Sequence, residues 1–229
     1  MNLSVFDFFK IGIGPSSSHT MGPMRAAKQF VTELKKVKKF GVTKGVQVEL
    51  YGSLAMTGEG HGTLNAIKMG LQGKKSEEVS FKDVKQASEQ TQSIKLGGIR
   101  KIDFTDDDVQ FKKGKTLPFH PNGMKFTSME DGPEFYSRTY YSIGGGFVVT
   151  EKNAKKDKLK ETSKEVPNQF TSAKELVDIA KKRDMRISEV ILENEMTWRK
   201  KGRTHLKLKQ IWKVMKQSVN RGLTTTGTL

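Results

Sequence analysis

The chain has 229 residues, of which 34% are hydrophobic, and its mean hydropathy is −0.58. The absence of cysteine excludes a disulfide framework and any thiolate metal site built from this chain alone. No apolar run is long enough to cross a bilayer, and the first residues lack the features of a signal peptide. We therefore expect a cytoplasmic protein with no membrane partner.

The charge is strongly basic, with 41 Lys and Arg against 25 Asp and Glu and a net charge of +16. Such a balance raises nucleic acid as a candidate partner. The lysines, however, are spread along predicted helix faces and through residues 152–160, without interleaved aromatic residues that could stack on bases. We interpret the charge as solvated surface and rank a nucleic-acid binder last among the functional hypotheses.

The most informative segment is residues 14–23, which read GPSSSHTMGP. Apolar residues recur at helical spacing after Pro23, and proline suits the first turn of a helix. The sequence therefore predicts a helix beginning at Pro23, with the serine-rich segment at its N-terminus. Free N–H groups and the helix dipole favour a carboxylate or phosphate there. A plain N-cap loop is the alternative for residues 16–18.

Strands alternate with helices in the following part of the chain. Residues 46–51 alternate apolar and polar side chains, which predicts a half-buried strand. The order of elements predicts an α/β (α+β) domain with a mixed sheet. The other predicted elements are a helix at 63–71, a helix with a capping box at Ser80, strands on both sides of an acidic turn at 106–108, a hairpin of 125–129 and 135–141, and a strand at 147–150.

The remaining chain divides into a linker and a helical part. We predict a domain over residues 1–152, an exposed lysine-rich linker over 153–170 and a short all-α segment over 171–229. The segment begins with a capping box at Ser172, and its third helix ends at Gly222. Three helices cannot close a sizeable core alone. We therefore expect a truncated second domain, or one completed by another subunit, with exposed apolar surface.

Three histidines, His19, His61 and His120, lie in turn-rich segments of the first part. A loop histidine is a frequent functional group because its charge changes near neutral pH. A surface histidine with only a hydrogen-bonding role is the alternative. His205 precedes the predicted third helix, and we expect it to be merely exposed. The sequence shows neither the residue order of a Ser-His-Asp triad nor the histidine spacing of a zinc site. The residues alone therefore predict no more than an anion site near two histidines.

Several blocks of the sequence together resemble the bacterial iron–sulfur L-serine dehydratase (L-serine ammonia-lyase) family. The resemblance covers the chain nearly end to end. It implies an N-terminal β domain with the fold of the allosteric substrate-binding domain of some phosphoglycerate dehydrogenases, followed by the start of a helical α domain. The blocks that carry the resemblance are residues 4–7, 14–23, 50–58, 60–63, 120–124 and 141–147.

The resemblance also implies a reaction. L-serine loses its α-proton and β-hydroxyl, and the aminoacrylate product hydrolyses to pyruvate and ammonia, in amino-acid degradation and gluconeogenesis. The complete family enzyme carries a 4Fe–4S cluster on cysteines of the α domain, and this chain contains none of them. The implied partners are L-serine, the missing helical domain and a second copy in a homodimer. The alternative is a non-catalytic L-serine-binding regulatory or interaction module.

The resemblance and the chemistry together suggest roles for individual residues. One departure is Leu64, which stands where the family usually has an aspartate that could orient His61 or cap the helix. We assign no metal ligand. The candidate catalytic residues are His61, as the base, and His19; the candidate substrate-binding residues are Ser16, Ser17, Ser18 and Thr20, with His120 and Asn122 as weaker candidates for orienting the substrate.

Overall fold

A computed structural model of the chain describes residues 3–130, 134–154 and 165–227. The chain forms two compact units, a larger one of Gly12–Lys158 and a smaller one of Met1–Ile11 with Leu159–Leu229. The sequence pattern gives no sign that the first residues belong with the C-terminal helices. The predicted boundaries at residues 152 and 170 stay a prediction.

The larger unit contains a mixed sheet, as predicted, and a separate two-stranded sheet. The strands that the structure describes are β1 (Gly45–Tyr51), β2 (Ser93–Leu96), β3 (Arg100–Asp103), β4 (Val109–Lys112), β5 (Gly123–Met129), β6 (Glu134–Ser142) and β7 (Val148–Thr150).

The main sheet has the strand order β4-β1-β5-β6-β7. β1 pairs in parallel with β4 and antiparallel with β5, and the remaining pairs are antiparallel. β5 and β6 form the predicted hairpin, although its turn at residues 131–133 lies outside the described residues. β3 and β4 flank the acidic turn as predicted, but they belong to different sheets because β3 pairs with β2.

Helices surround the main sheet and make up the smaller unit. The described α-helices are α1 (Val5–Phe8), α2 (Gly22–Lys36), α3 (Gly52–Thr57), α4 (Thr63–Leu71), α5 (Phe81–Glu89), α6 (Glu151–Ala154), α7 (Ala173–Lys182), α8 (Ile187–Glu195) and α9 (Lys201–Thr224). None of these described helices is long and apolar enough to span a bilayer.

The core of the larger unit lies between α2 and the sheet. Ala27, Phe30 and Leu34 on α2 are fully buried, at the helical spacing that the sequence shows. On β1, Val48 and Leu50 are fully buried and alternate with half-buried polar residues. Burial of one helix face against one sheet face holds the loops at the end of β1 in a fixed position.

The smaller unit contains a buried ionic cluster. Ser4 caps α1, and its hydroxyl donates to the Glu195 carboxylate at 3.0 Å. Arg199 donates to the same carboxylate at 2.6 Å, and its guanidinium carbon lies 4.4 Å from the centre of the Phe6 ring. This cluster ties the N-terminal segment to α8.

Two predictions for the C-terminal part need correction. The third helix, α9, begins at Lys201 and runs past Gly222 to Thr224, so His205 lies inside it rather than before it. The predicted linker is not exposed throughout its described part, because Val166 and Asn168 are buried and Asn168 bonds to Asn194. These contacts could not be read from a lysine-rich composition.

Candidate functional site

The predicted helix is confirmed as α2, which begins at Gly22, and the serine-rich segment before it is itself helical. Ser17–Met21 form a π-helical turn that runs directly into α2. The side chain of Ser16 caps this turn by accepting the backbone N–H of His19 at 3.0 Å. The first N–H groups of a helix have no carbonyl partner within it, and the anion site expected at such a position stays a prediction.

The His19 imidazole is held at both ring nitrogens. Its Nδ1 lies 2.8 Å from the Ser18 hydroxyl, and its Nε2 lies 3.0 Å from the hydroxyl of Ser53, in the first turn of α3. Burial and the charge of nearby His61 lower the pKa of His19, while hydrogen bonding to Ser53 raises it. The net effect is a lowered pKa, so the ring is mainly uncharged at neutral pH.

His61 lies beside His19, with 5.0 Å between the ring centres. Its Nδ1 lies 2.7 Å from the backbone carbonyl of Thr57. A carbonyl oxygen can only accept a hydrogen bond, so Nδ1 carries the proton in the neutral ring. The lone pair is therefore on Nε2, so the neutral His61 ring accepts a proton at that nitrogen.

Two buried threonines join the segments that carry the histidines. The Thr20 hydroxyl donates to the backbone carbonyl of His61 at 2.8 Å, and the Thr63 hydroxyl donates to the carbonyl of His19. These crossed bonds fix the distance between the two imidazoles. The Thr20 hydroxyl is occupied by this bond. Substrate contact by Thr20 stays a prediction.

The loop with His120 and Asn122 is connected to the serine-rich segment through Ser142. The Asn122 side chain donates to the Ser142 carbonyl at 3.2 Å, and the Ser142 hydroxyl donates to the Ser18 carbonyl at 2.7 Å. His120 accepts the backbone N–H of Asn122 on Nδ1, and burial lowers its pKa. The Asn122 side-chain oxygen is buried without a hydrogen-bond partner among the described residues.

Gly52 brings this loop against the start of α3. Its φ of +53° lies in the left-handed region, and a Cβ there would lie 2.1 Å from the carbonyl oxygen of Pro121. Only glycine permits this close approach. The loop therefore packs next to Ser53, the residue that bonds to His19.

Leu64 is half-buried and packs against the main hydrophobic core. Position 64 thus faces the core in this chain. The orientation of His61 that an acidic neighbour could provide comes instead from the Thr57 carbonyl.

Sequence reasoning missed Ser53, Thr63 and Ser142 as parts of this arrangement. Each is a small hydroxyl residue distant in sequence from the residue that it contacts, by 34, 44 and 124 positions. Nothing in its local sequence distinguishes such a residue from a solvated serine or threonine.

A separate cleft of about 730 Å³ lies between the end of α2 and β6. The Glu33 carboxylate in this cleft already pairs with Arg138 at 3.2 Å and accepts from the Tyr136 hydroxyl at 3.4 Å. Glu33 and Arg138 therefore neutralise each other in this cleft. The imidazole pair is the stronger candidate site because it carries an unpaired base.

The residues of this chain do not fit an iron–sulfur cluster. The sequence has no cysteine, and no group of three or more His, Asp or Glu side chains converges within residues 3–130, 134–154 and 165–227. Thiolates are the usual ligands of such clusters.

Comparison with known proteins gives consistent matches. The sequence profile of a family described as "Serine dehydratase beta chain" matches residues 4–153. An L-serine dehydratase of Streptomyces coelicolor is 42% identical, over 100% of this chain and 51% of that protein. An L-serine dehydratase of Mycobacterium bovis is 40% identical over 100% and 50%, and L-serine dehydratase 1 of Escherichia coli is 38% identical over 99% and 50%. The chain spans about half the length of these curated relatives.

Proposed function

The chain belongs to the serine dehydratase beta chain family, and we propose that it is the part of an L-serine ammonia-lyase that binds L-serine and removes its α-proton. The observation that carries this proposal is the imidazole pair, with 5.0 Å between the ring centres, at the start of a helix. An elimination of this kind needs a base that is uncharged near neutral pH and an anion site beside it.

In the proposed reaction the Nε2 lone pair of His61 takes the α-proton of L-serine. The electrons of the broken C–H bond form the double bond between the α and β carbons as the β-hydroxyl leaves with a proton. The aminoacrylate formed becomes an imine that water hydrolyses to pyruvate and ammonia. The support from this chain is the hydrogen bond from Nδ1 to the Thr57 carbonyl, which directs the lone pair to Nε2.

The proposed carboxylate site is the start of the π turn, where the backbone N–H groups of Ser17 and Ser18 and the hydroxyls of residues 16–18 lie next to His19. A mainly uncharged His19 adds no repulsion to the ammonium of the substrate. His120 and Asn122 are proposed to orient the substrate. Their connection to Ser18 through Ser142 supports this role.

We confine the proposed role of this chain to binding and proton abstraction. The family resemblance implies a 4Fe–4S cluster, and the residues here do not fit one, so we place the cluster on polypeptide outside this chain. The exposed apolar side chains of Trp212, Met215 and Val219 on α9, together with the greater length of the relatives, support a further helical part as partner.

A second candidate function is an L-serine-binding module without catalysis. The observation that favours it is the presence of the proposed anion site in a chain that has no cysteine. Such a module binds L-serine as the enzyme does, but it does not convert L-serine to pyruvate.

Isothermal titration calorimetry of the chain with L-serine tests the shared step, with D-serine as the control ligand. We expect heat with L-serine, a weaker response with D-serine, and loss of binding in Ser18→Ala. No heat at millimolar L-serine would contradict both functions.

Turnover separates the two functions. The chain is mixed with the remaining half of the Streptomyces coelicolor relative, expressed separately and loaded with its cluster, and pyruvate is measured. The enzyme function predicts pyruvate with the wild-type chain and at least about a hundredfold less with His61→Ala, the usual range for loss of a general base. Equal rates in the two samples would show that His61 is not the base.

A further inference from the structure

Ser53 has no role in the proposed function, yet it contacts His19, one of the two histidines of the site. Its hydroxyl lies 3.0 Å from Nε2 of His19, while the opposite nitrogen lies 2.8 Å from the Ser18 hydroxyl. Ser18 in turn lies 3.3 Å from the Ser16 hydroxyl. Three hydroxyls and one imidazole therefore form a continuous hydrogen-bonded chain.

This chain can run in either of two directions, and the helix cap is compatible with Ser16 as its first donor. The Ser16 oxygen already accepts the backbone N–H of His19, which leaves its own hydrogen for Ser18. Ser18 can then donate to Nδ1 of His19. An uncharged imidazole with an accepting Nδ1 carries its proton on Nε2, so the ring donates to Ser53.

This direction leaves the Ser53 hydroxyl hydrogen without an acceptor in the part of the chain that the structure describes. Gly52 and the close approach of Pro121 fix the turn on which Ser53 lies. The hydrogen is thus held at the imidazole pair, where an acceptor on a ligand can take it.

We propose that Ser53 is a positioning residue that holds His19 with its proton on Nε2, opposite to His61 with its proton on Nδ1, and that it donates its own hydroxyl hydrogen to the carboxylate of the bound amino acid. The donation to a carboxylate rests on the proposed function. The assignment of the two ring protons rests on the hydrogen bonds alone.

Two-bond ¹H–¹⁵N correlation spectra of the histidine-labelled chain test the ring assignment without any ligand. We expect the wild type to show the Nε2–H form of His19 and the Nδ1–H form of His61. In Ser53→Ala, His19 should become a mixture of both forms, because the hydroxyl beside Nε2 is gone.

Two variants serve as controls. Ser53→Thr keeps the hydroxyl and should give the wild-type spectrum. Thr32→Ala removes an exposed hydroxyl of α2 that bonds only to the Lys28 carbonyl of its own helix, and it should also leave His19 unchanged. If Ser53→Ala does not fold, Ser53→Cys keeps a similar volume with a weaker acceptor and is expected to change His19 in the same direction.

An unchanged His19 spectrum in Ser53→Ala, or an Nδ1–H form of His19 in the wild type, would overturn the proposal. Calorimetry supplies the second readout. Ser53→Ala should weaken L-serine binding about fivefold, the effect of one lost hydrogen bond, and Ser53→Thr should not. If the wild type binds no L-serine, the proposed function fails while the ring assignment is still decided by the spectra.

Discussion

The side chains of the two units find their packing and hydrogen-bond partners in different ways. In the larger unit an amphipathic helix and a sheet bury each other, and its polar groups bond across long sequence separations to form the imidazole site. In the smaller unit a buried ionic cluster holds α1, while large apolar side chains of α9 stay exposed. A complete core can position chemistry with precision, whereas an incomplete one leaves surface for a partner.

The largest expected effect tests this contrast with one aromatic residue from each unit. Phe30 is 0% exposed and Trp212 is 64% exposed. Phe30→Ala should lower the free energy of unfolding by about 4 kcal/mol because it leaves a cavity in the core. Trp212→Ala should leave that free energy unchanged and reduce dye binding. Urea denaturation and dye fluorescence measure the two effects; equal destabilisation would remove the contrast.

The next effect concerns the ionic cluster of the smaller unit. Glu195→Ala removes a buried carboxylate, leaves the partly buried Arg199 without it, and should cost about 3 kcal/mol in that unit. Asp178→Ala, which removes an exposed partner of Lys174, is the matched control and should have no measurable effect. Amide hydrogen exchange resolves the units separately, and protection of β1 should not change in either variant.

A smaller effect is expected at the loop that packs on α3. Gly52→Ala places a Cβ against the Pro121 carbonyl and requires a positive φ, so it should destabilise the larger unit by about 2 kcal/mol. Gly60→Ala is the control, because a Cβ there meets no atom within 4 Å. Thermal unfolding compares them, and an equal effect of both changes would show that the close approach does not matter.

The smallest effect is a dependence of stability on pH. The pKa of His19 lies below its ordinary value of 6.5 in the folded chain, chiefly because of burial. The unfolded chain therefore binds more protons once the pH falls below about 6.5, and the larger unit should lose stability as the pH falls further. His120 acts in the same direction.

Urea midpoints at several pH values measure this dependence. His19→Gln should reduce the slope, because one of the two histidines with a lowered pKa is gone. Thr32→Ala, which removes no titratable group, should leave the slope unchanged. An identical slope in His19→Gln and the wild type would show that burial of His19 does not affect folding.

Helices and strands were predicted well where one sequence pattern dominated. The helix at residues 63–71 and the hairpin of β5 and β6 follow the expected pattern, and the mixed sheet is confirmed. The start of α2 lies at Gly22, one residue from the predicted Pro23, whereas the π turn of Ser17–Met21 before it was not predicted. A π turn has no sequence period of its own that could have revealed this.

The candidate site was only partly predictable. His19 and His61 stand out through their neighbours in sequence, and the structure places their ring centres 5.0 Å apart. Their roles in catalysis remain predictions. The direction of the His61 lone pair depends on a backbone carbonyl, and no residue type in the sequence indicates that contact.

The sequence by itself determined the repeating patterns of helix and strand, the basic charge, the lack of cysteine and the family. These properties depend on residue types and short spacings. Only the tertiary structure decided which hydroxyls bond to the imidazoles and that Ser4 meets Glu195 across 191 positions. Such contacts depend on how helices and strands pack, because a buried polar group must find a partner wherever the fold places one.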